Sequence, residues 1–202
     1  MADEVFEITI SDGALQAGRP DTDWLSTGVD GGRERADAAY NITVPSGWDD
    51  IDLSEYVARR TAAAGFETDG PALLTGVEQQ HARRAVLDPV EVLVTAGLSN
   101  PATLPSQGAA ESSTTTTANR TTPDATEHRG TINIIVGTTR ALPPAALASL
   151  LAGVAEAKTA TLSHRTDFTG TTSDAVIVGS DPAGKRAQFA GWAPTGGRAG
   201  RG

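Results

Sequence analysis

Six short stretches of the chain have the alternating or β-branched apolar pattern that is typical of β-strands. They cover residues 5–10, 40–45, 71–77, 90–98, 131–136 and 174–179. Two longer stretches have helical spacing: residues 52–64, which end before Gly65, and residues 144–162, which follow Pro143. The pattern predicts an α/β (α+β) fold, with a largely antiparallel or mixed sheet and helices packed on one or both faces.

Other parts of the chain lack a regular pattern. Residues 101–128 are rich in Ser, Thr, Pro and Ala, and they predict a long disordered loop because they offer little apolar surface to bury. Residues 191–202 contain clustered Gly and predict a disordered tail.

A chain of 202 residues usually forms one domain, which we expect to span residues 1–190. The charged stretch 81–84 gives no clear prediction.

Strand alternation predicts a sheet with two unlike faces. Val92 and Ile134 point to one side of their strands, whereas Thr95 and Asn133 point to the other. We expect the strands around Val92, Ile134 and Val176 to be neighbours, with the long helix on their apolar face. The polar face would then be free to bind a ligand or to meet another layer.

The charged residues favour a protein adapted to salt. Acidic residues outnumber basic ones by 25 to 16, so the net charge is -9 and the surface repels phosphate backbones. The basic set contains 14 Arg and two Lys. We therefore expect no nucleic-acid partner and a salt-rich cytoplasm that screens self-repulsion. The alternative is an ordinary acidic protein from a GC-rich genome.

The residue types and patterns that the sequence lacks exclude several kinds of site and partner. The chain has no Cys, which excludes disulfides, thiolate metal sites and a Cys nucleophile. No continuous apolar run reaches the roughly 18 residues that a membrane span needs, and the amino terminus lacks a basic leader. We expect a cytoplasmic protein without a membrane partner. The histidines do not have metal-ligand spacing, so no metal site is predicted.

Lys158 interrupts the apolar stripe of the long predicted helix. It lies near the centre of the stripe, whereas Glu156 points to the opposite side. Lys158 could snorkel to solvent near the helix end, where a cation suits the helix dipole. It could instead be held at a site by an anion that offsets its desolvation. Asp174, ahead of the last strand, is the candidate partner, unless it serves only as a turn residue.

Five motifs, in this order, resemble those of the adenosylcobinamide amidohydrolase family, and they span residues 25–179. They are Leu25-Ser26-Thr27-Gly28 with Gly31-Gly32, Thr95-Ala96-Gly97-Leu98-Ser99-Asn100, Gly130-Thr131-Ile132-Asn133-Ile134-Ile135, Glu156-Ala157-Lys158-Thr159 and Gly170-Thr171-Thr172-Ser173-Asp174-Ala175. The salt-adapted composition is similar to that of family members from halophilic archaea.

This resemblance implies an enzyme of cobalamin salvage. Such an enzyme hydrolyses the amide that joins aminopropanol to adenosylcobinamide, and it leaves adenosylcobyric acid. The resemblance implies a small-molecule corrinoid substrate and no metal or organic cofactor beyond the corrinoid itself. The alternative is a corrinoid-binding protein without catalytic activity. The oligomeric state is left open.

The catalytic residues must be inferred from the chemistry of amide cleavage, which needs a nucleophile, donors to the oxyanion and an acid for the leaving amine. Either a hydroxyl of Ser99 or Thr131 attacks, or Asp174 activates water, and we favour Asp174. Lys158 would pair with Asp174 or with the substrate.

Five further positions are candidates for substrate binding: Gly97, Asn100, Gly130, Asn133 and Thr171. Their neutral donors suit a substrate whose many side amides offer carbonyl acceptors. The alternative for the Ser, Thr and Asn side chains named here is a hydrogen bond that closes a turn or a strand end.

Overall fold

The computed structural model describes residues 4–45, 52–99, 101–103 and 130–187. Within these ranges the helices are α1 (Leu53–Ala63), α2 (Pro144–Arg165) and a short 3-10 helix (Gln79–His81). The strands are β1 (Glu7–Ser11), β2 (Ala14–Ser26), β3 (Gly32–Thr43), β4 (Ala72–Thr75), β5 (Arg83–Leu87), β6 (Val90–Ala96), β7 (Pro101–Ala102), β8 (Ile132–Ala141), β9 (Gly170–Thr171) and β10 (Ala175–Arg186). The predicted tail, and the predicted loop apart from residues 101–103, lie outside the described residues.

One mixed sheet forms the centre of the fold. Its strand order is β4-β3-β2-β10-β8-β6-β5, and β1 pairs with β2 at its side. The pairs β3–β4 and β8–β10 are parallel, and the other pairs in this sheet are antiparallel. The predicted fold class is therefore confirmed, as is the predicted neighbourhood of β6, β8 and β10.

The amino-terminal strands differ most from the prediction. β2 was not predicted, and β3 begins at Gly32 rather than at residue 40. The two strands carry opposite charges that pair across the sheet, with Arg33 bound to Asp23 and Arg35 bound to Asp21. These exposed pairs replace the apolar alternation by which strands are recognised in a sequence.

Glu91 determines where the first strand begins. Its buried carboxylate accepts hydrogen bonds from the backbone N–H groups of Val5 (2.7 Å) and Phe6 (3.2 Å). It also accepts from Arg84 at 2.5 Å. Val5 and Phe6 were predicted to belong to the strand, but β1 begins at Glu7 because these two N–H groups are used by Glu91. Phe6 stacks on the buried Trp24, with ring centroids 5.8 Å apart.

The sheet curls so that its two halves face each other. Asn133 on β8 donates to the carbonyl of Leu74 on β4 at 3.0 Å, although three strands separate β4 from β8 in the sheet. A core that includes Trp24, Leu93 and Ile135 fills the concave side.

The charged stretch 81–84, for which the sequence pattern offers no clear prediction, contributes to the 3-10 helix and to β5. β5 forms one edge of the sheet.

The helices agree with the sequence prediction. α1 is capped by Asp52, whose carboxylate accepts from the Glu55 N–H at 2.9 Å, and it is followed by Gly65 at a φ of 81°. α2 has Pro144 in its first turn and continues to Arg165, three residues beyond the predicted end. Leu147 of α2 is buried against the sheet face that carries Ile134, which is 7% exposed.

By length and composition alone, α2 is apolar enough to span a membrane, contrary to the sequence analysis. Its many Ala and Leu residues raise the mean hydropathy although no long run of large apolar residues is present. In the structure Leu147 of α2 is buried against the convex sheet face and Leu151 and Val154 are partly buried there, while most of the helix surface is exposed. It forms the crossover between the parallel strands β8 and β10.

Candidate active site

The ends of four strands bring the sequence motifs to one edge of the sheet. Ser26 at the end of β2 pairs with Ile177 near the start of β10, and Ala96 at the end of β6 pairs with Ile132 at the start of β8. Ala175 pairs with Asn133 at this same edge. The segments that follow β2 and β6, and those that precede β8 and β10, therefore lie close together. We call this region the motif edge.

Lys158 and Asp174 meet at the motif edge. The Lys158 ammonium on α2 donates to the carboxylate of Asp174, and their side chains are 16% and 11% exposed. Glu156 is exposed, as its position on the helix predicts. Of the two alternatives for Lys158, the structure contains the ammonium paired with an anion.

Three more hydrogen bonds reach the Asp174 carboxylate. The backbone N–H groups of Thr171 and Ile132 each donate at 3.0 Å, and the Thr171 hydroxyl donates as well. Partial burial raises the pKa of Asp174, but the hydrogen bonds from Lys158, Thr171 and Ile132 outweigh burial and leave the pKa below its ordinary value. Asp174 is thus ionised at neutral pH, and its oxygens are already occupied.

This arrangement changes the role expected for Asp174 and Thr171. A general base needs a pKa near the working pH and a free lone pair, and Asp174 has neither. The carboxylate instead anchors Lys158 and joins the turn before β10 to the start of β8. Thr171 is 8% exposed and bound to Asp174, so it supports this anchor rather than offering its hydroxyl to a substrate.

A hydrogen-bonded pair of hydroxyl groups includes Ser173, the residue directly before Asp174. The hydroxyls of Thr131 and Ser173 are hydrogen-bonded to each other at 2.8 Å. Thr131 is only 4% exposed, whereas Ser173 is exposed. Thr131 is one of the catalytic candidates predicted from the sequence, whereas Ser173 is not among them. The available signal was the position of Ser173 directly before Asp174 in the last motif.

Two glycines allow the ends of β6 and β8 to approach each other. The Gly97 N–H donates to the Thr131 carbonyl at 3.0 Å. A Cβ atom at Gly130 would lie 2.5 Å from both the Gly97 carbonyl oxygen and the Ser99 nitrogen. The close contact excludes a side chain at Gly130. Ser99 is exposed beside this crossing, and Asn100 lies outside the described residues.

Asn133 does not lie where a substrate could reach it. It is 1% exposed, and its amide donates to Asn41 at 2.8 Å inside the curled sheet. Asn41 in turn donates to Thr95 at 2.9 Å and to Gln79 at 3.1 Å. The polar sheet face therefore meets another layer, the second of the two predicted alternatives. The burial of the Asn133 side chain in this network favours a structural role over the predicted substrate-binding role.

Thr27 ties the first motif to the last strand, a contact that the sequence analysis missed. Its N–H donates to the Val176 carbonyl at 2.9 Å, and its hydroxyl accepts from the Val176 N–H at 2.9 Å. The motif that contains Thr27 thereby lies next to Asp174 in the fold. Among the described residues there is no group of three His, Asp or Glu side chains that could hold a metal ion.

Comparison with known proteins identifies the family of the chain. The family model described as Adenosylcobinamide amidohydrolase matches residues 2–201. The chain belongs to this family. An adenosylcobinamide amidohydrolase from Halobacterium salinarum is 51% identical over 189 residues, which are 93% of this chain and 78% of the relative. One from Methanosarcina mazei is 30% identical over 159 residues, which are 78% of this chain and 69% of the relative.

The adenosylcobinamide amidohydrolase family is thus confirmed as the family that the five motifs indicate. A relative from a halophilic archaeon also agrees with the salt-adapted composition. No solved structure matches the chain.

Proposed function

We propose that the chain hydrolyses the amide bond between the corrinoid and the aminopropanol arm of adenosylcobinamide. The products are aminopropanol and adenosylcobyric acid, which can return to cobalamin synthesis. The observation that carries this proposal is the convergence of the family's motifs on one edge of the sheet around a largely buried Lys158–Asp174 pair. A chain that only bound corrinoids would not need a buried charge at this position, since burying an ion pair is costly.

Lys158 is suited to the negative charge that develops during amide cleavage. Attack on the carbonyl carbon gives a tetrahedral oxyanion, and a fixed cation or N–H donor stabilises it more strongly than water does. Asp174 holds the Lys158 ammonium in one place through a bond that is itself fixed by Thr171 and Ile132. When the C–N bond breaks, the leaving nitrogen takes the proton that the attacking hydroxyl or water gives up, and it departs as the amine.

Ser173 is the hydroxyl that we assign to contact with the scissile amide. It is exposed at the motif edge, directly before Asp174, and it is hydrogen-bonded to the buried Thr131. Thr131 is too buried to reach a substrate and instead orients Ser173. This assignment replaces Asp174 as the favoured group for the attack. Mass spectrometry during turnover distinguishes a covalent Ser173 ester from attack by water that Ser173 positions.

The direct test is incubation of the full chain with adenosylcobinamide in concentrated KCl. We expect stoichiometric release of aminopropanol and adenosylcobyric acid, and we expect Lys158→Ala to abolish most of the release. The matched control is Glu156→Ala. It removes an exposed charge two residues before Lys158 on the same helix, and it should leave the rate unchanged. Thermal stabilisation by the corrinoid without release of aminopropanol would instead indicate a binding protein.

We also propose that the chain works in a salt-rich cytoplasm, since its net charge of -9 requires screening for the compact state to be stable. The same assay in dilute buffer tests this proposal. Loss of activity on dilution, with recovery when KCl is restored, is the expected result. Full activity and stability at low salt would contradict it.

A further inference from the structure

An apolar groove runs between α2 and the convex face of the sheet. Its volume is about 630 Å³, within the roughly 300–1,000 Å³ range of small-molecule sites. The sheet side is lined by Val92, Val94 and Ile134, and the helix side by Leu150 and Val154. Lys158 is the one charged residue of the described chain that lines the groove.

The groove exists because α2 presents small residues where large ones would fill the space. Gly153 and Ala157 face the groove from the helix. A Cβ atom built on Gly153 would have no heavy atom of the described chain within 4 Å. As a result Val92 and Val94 are only partly buried, although they point towards the helix. A close-packed interface would have covered these side chains.

One end of the groove is continuous with the motif edge. Lys158 lines the groove and also donates to Asp174. Ala96 and Ile132, which pair with each other where β6 ends and β8 begins, line the same cavity. A molecule that fills the groove therefore places one end against Lys158, next to the carboxylate and the turn that carries Ser173.

We infer that this groove binds the corrin macrocycle of the substrate and directs the aminopropanol arm towards Lys158. This inference rests on the proposed function. The rim of a corrin ring carries methyl groups, which suit the valine and leucine lining, together with neutral side amides, which need no buried counter-charge. The single cation lies at the end where the arm's carbonyl must be polarised. An apolar cleft with one polar group at the reacting end is typical of ligand sites.

The test fills the groove from the helix side. Gly153→Trp places an indole in space that is empty among the described residues. The substitution should not weaken α2, because Gly has the lowest helix propensity of any residue except Pro. Ala152→Trp adds the same indole to the exposed side of α2, outside the groove, and serves as the matched control. Gly153→Ala controls for the change in helix propensity. For each variant we would measure the melting temperature, the Kd for cobinamide by absorbance titration, and KM and kcat for aminopropanol release.

We expect Gly153→Trp to raise the Kd and the KM by at least about tenfold, since it removes most of the apolar contact area. Ala152→Trp and Gly153→Ala should keep the wild-type Kd and KM, and none of the three variants should melt below the wild type. An unchanged Kd in a folded Gly153→Trp variant would overturn the inference and leave the proposed function intact. If the wild type released no aminopropanol, the proposed function would fail, and the titration would still test the groove. A change in sedimentation without a change in Kd would show that the groove is an interface between copies.

Discussion

The Lys158 ammonium on α2 donates to the carboxylate of Asp174, the residue that precedes β10. This bond joins the helix to the edge of the sheet where the family's motifs meet. Because the hydrogen bonds to Asp174 also come from Thr171 and the start of β8, one carboxylate organises three segments of the site. The position of the Lys158 ammonium thus depends on Asp174.

The lowered pKa of Asp174 predicts a pH dependence of stability. The folded state binds this proton less tightly than the unfolded state, where the pKa of Asp is about 3.9. The contribution to stability is therefore complete above about pH 5 and is lost as the pH falls through the folded pKa. We expect the free energy of unfolding of Asp174→Asn to fall less steeply than that of the wild type between about pH 5 and pH 3. Parallel urea titrations would check this, and identical slopes would contradict it.

The hydroxyl pair predicts two different kinetic defects. Ser173→Ala removes the group assigned to contact the amide, so kcat should fall by at least about a hundredfold with the KM little changed. Thr131→Val removes the partner that orients Ser173, and we expect a smaller loss of about tenfold. Ser173→Thr keeps a hydroxyl and should restore part of the rate. Wild-type kcat in Ser173→Ala would return Ser99 to consideration as the reacting hydroxyl.

The buried carboxylate of Glu91 predicts a large effect on stability, distant from the site. Glu91→Ala leaves the N–H groups of Val5 and Phe6 without this acceptor and breaks the pair with Arg84. We expect a loss of about 3 kcal/mol in the free energy of unfolding, the scale for leaving two buried N–H donors unsatisfied. Glu4→Ala removes an exposed partner of the same Arg84 and should cost less than about 1 kcal/mol. Chemical denaturation of the two variants compares these losses, and equal losses would contradict the structural role assigned to the buried Glu91 carboxylate.

The net charge predicts that salt stabilises the fold. Raising KCl from about 0.1 M to about 1 M shortens the Debye length from about 10 Å to about 3 Å. Self-repulsion among the acidic side chains should then fall more than the attraction within exposed pairs such as Arg35–Asp21. We expect the melting temperature to rise with KCl in scanning calorimetry. A constant or falling melting temperature would favour an ordinary acidic protein.

Local signals explain which elements could be predicted from the sequence. Both helices have their boundaries encoded by neighbouring residues, Asp52 and Gly65 for α1 and Pro144 for α2. The sheet faces around Val92 and Ile134 were predictable because apolar residues alternate along those strands. β2 was not predictable, because acidic side chains at its exposed positions bind Arg side chains on β3 and no apolar alternation marks the strand.

The site could be predicted only in part. Lys158 stood out as a cation on an apolar stripe, and Asp174 as its candidate partner, and both are found at one place. The burial of Asn133 depends on the curling of the sheet, which brings β3 and β4 over β8. Such long-range closure leaves no local pattern. Ser173 was missed because its partner Thr131 lies 42 residues away along the chain.

The central claim is that Lys158 and Asp174 form the functional core of an amidohydrolase site. A double-mutant cycle on the rate of aminopropanol release from adenosylcobinamide, in concentrated KCl, tests it most directly. We expect Lys158→Ala and Asp174→Asn each to lower kcat by at least about a hundredfold, and the double variant to be no slower than the worse single one, because the two residues act as a unit. Glu156→Ala should keep the wild-type rate. Near-normal release by folded Lys158→Ala and Asp174→Asn variants would contradict the account and place the chemistry elsewhere.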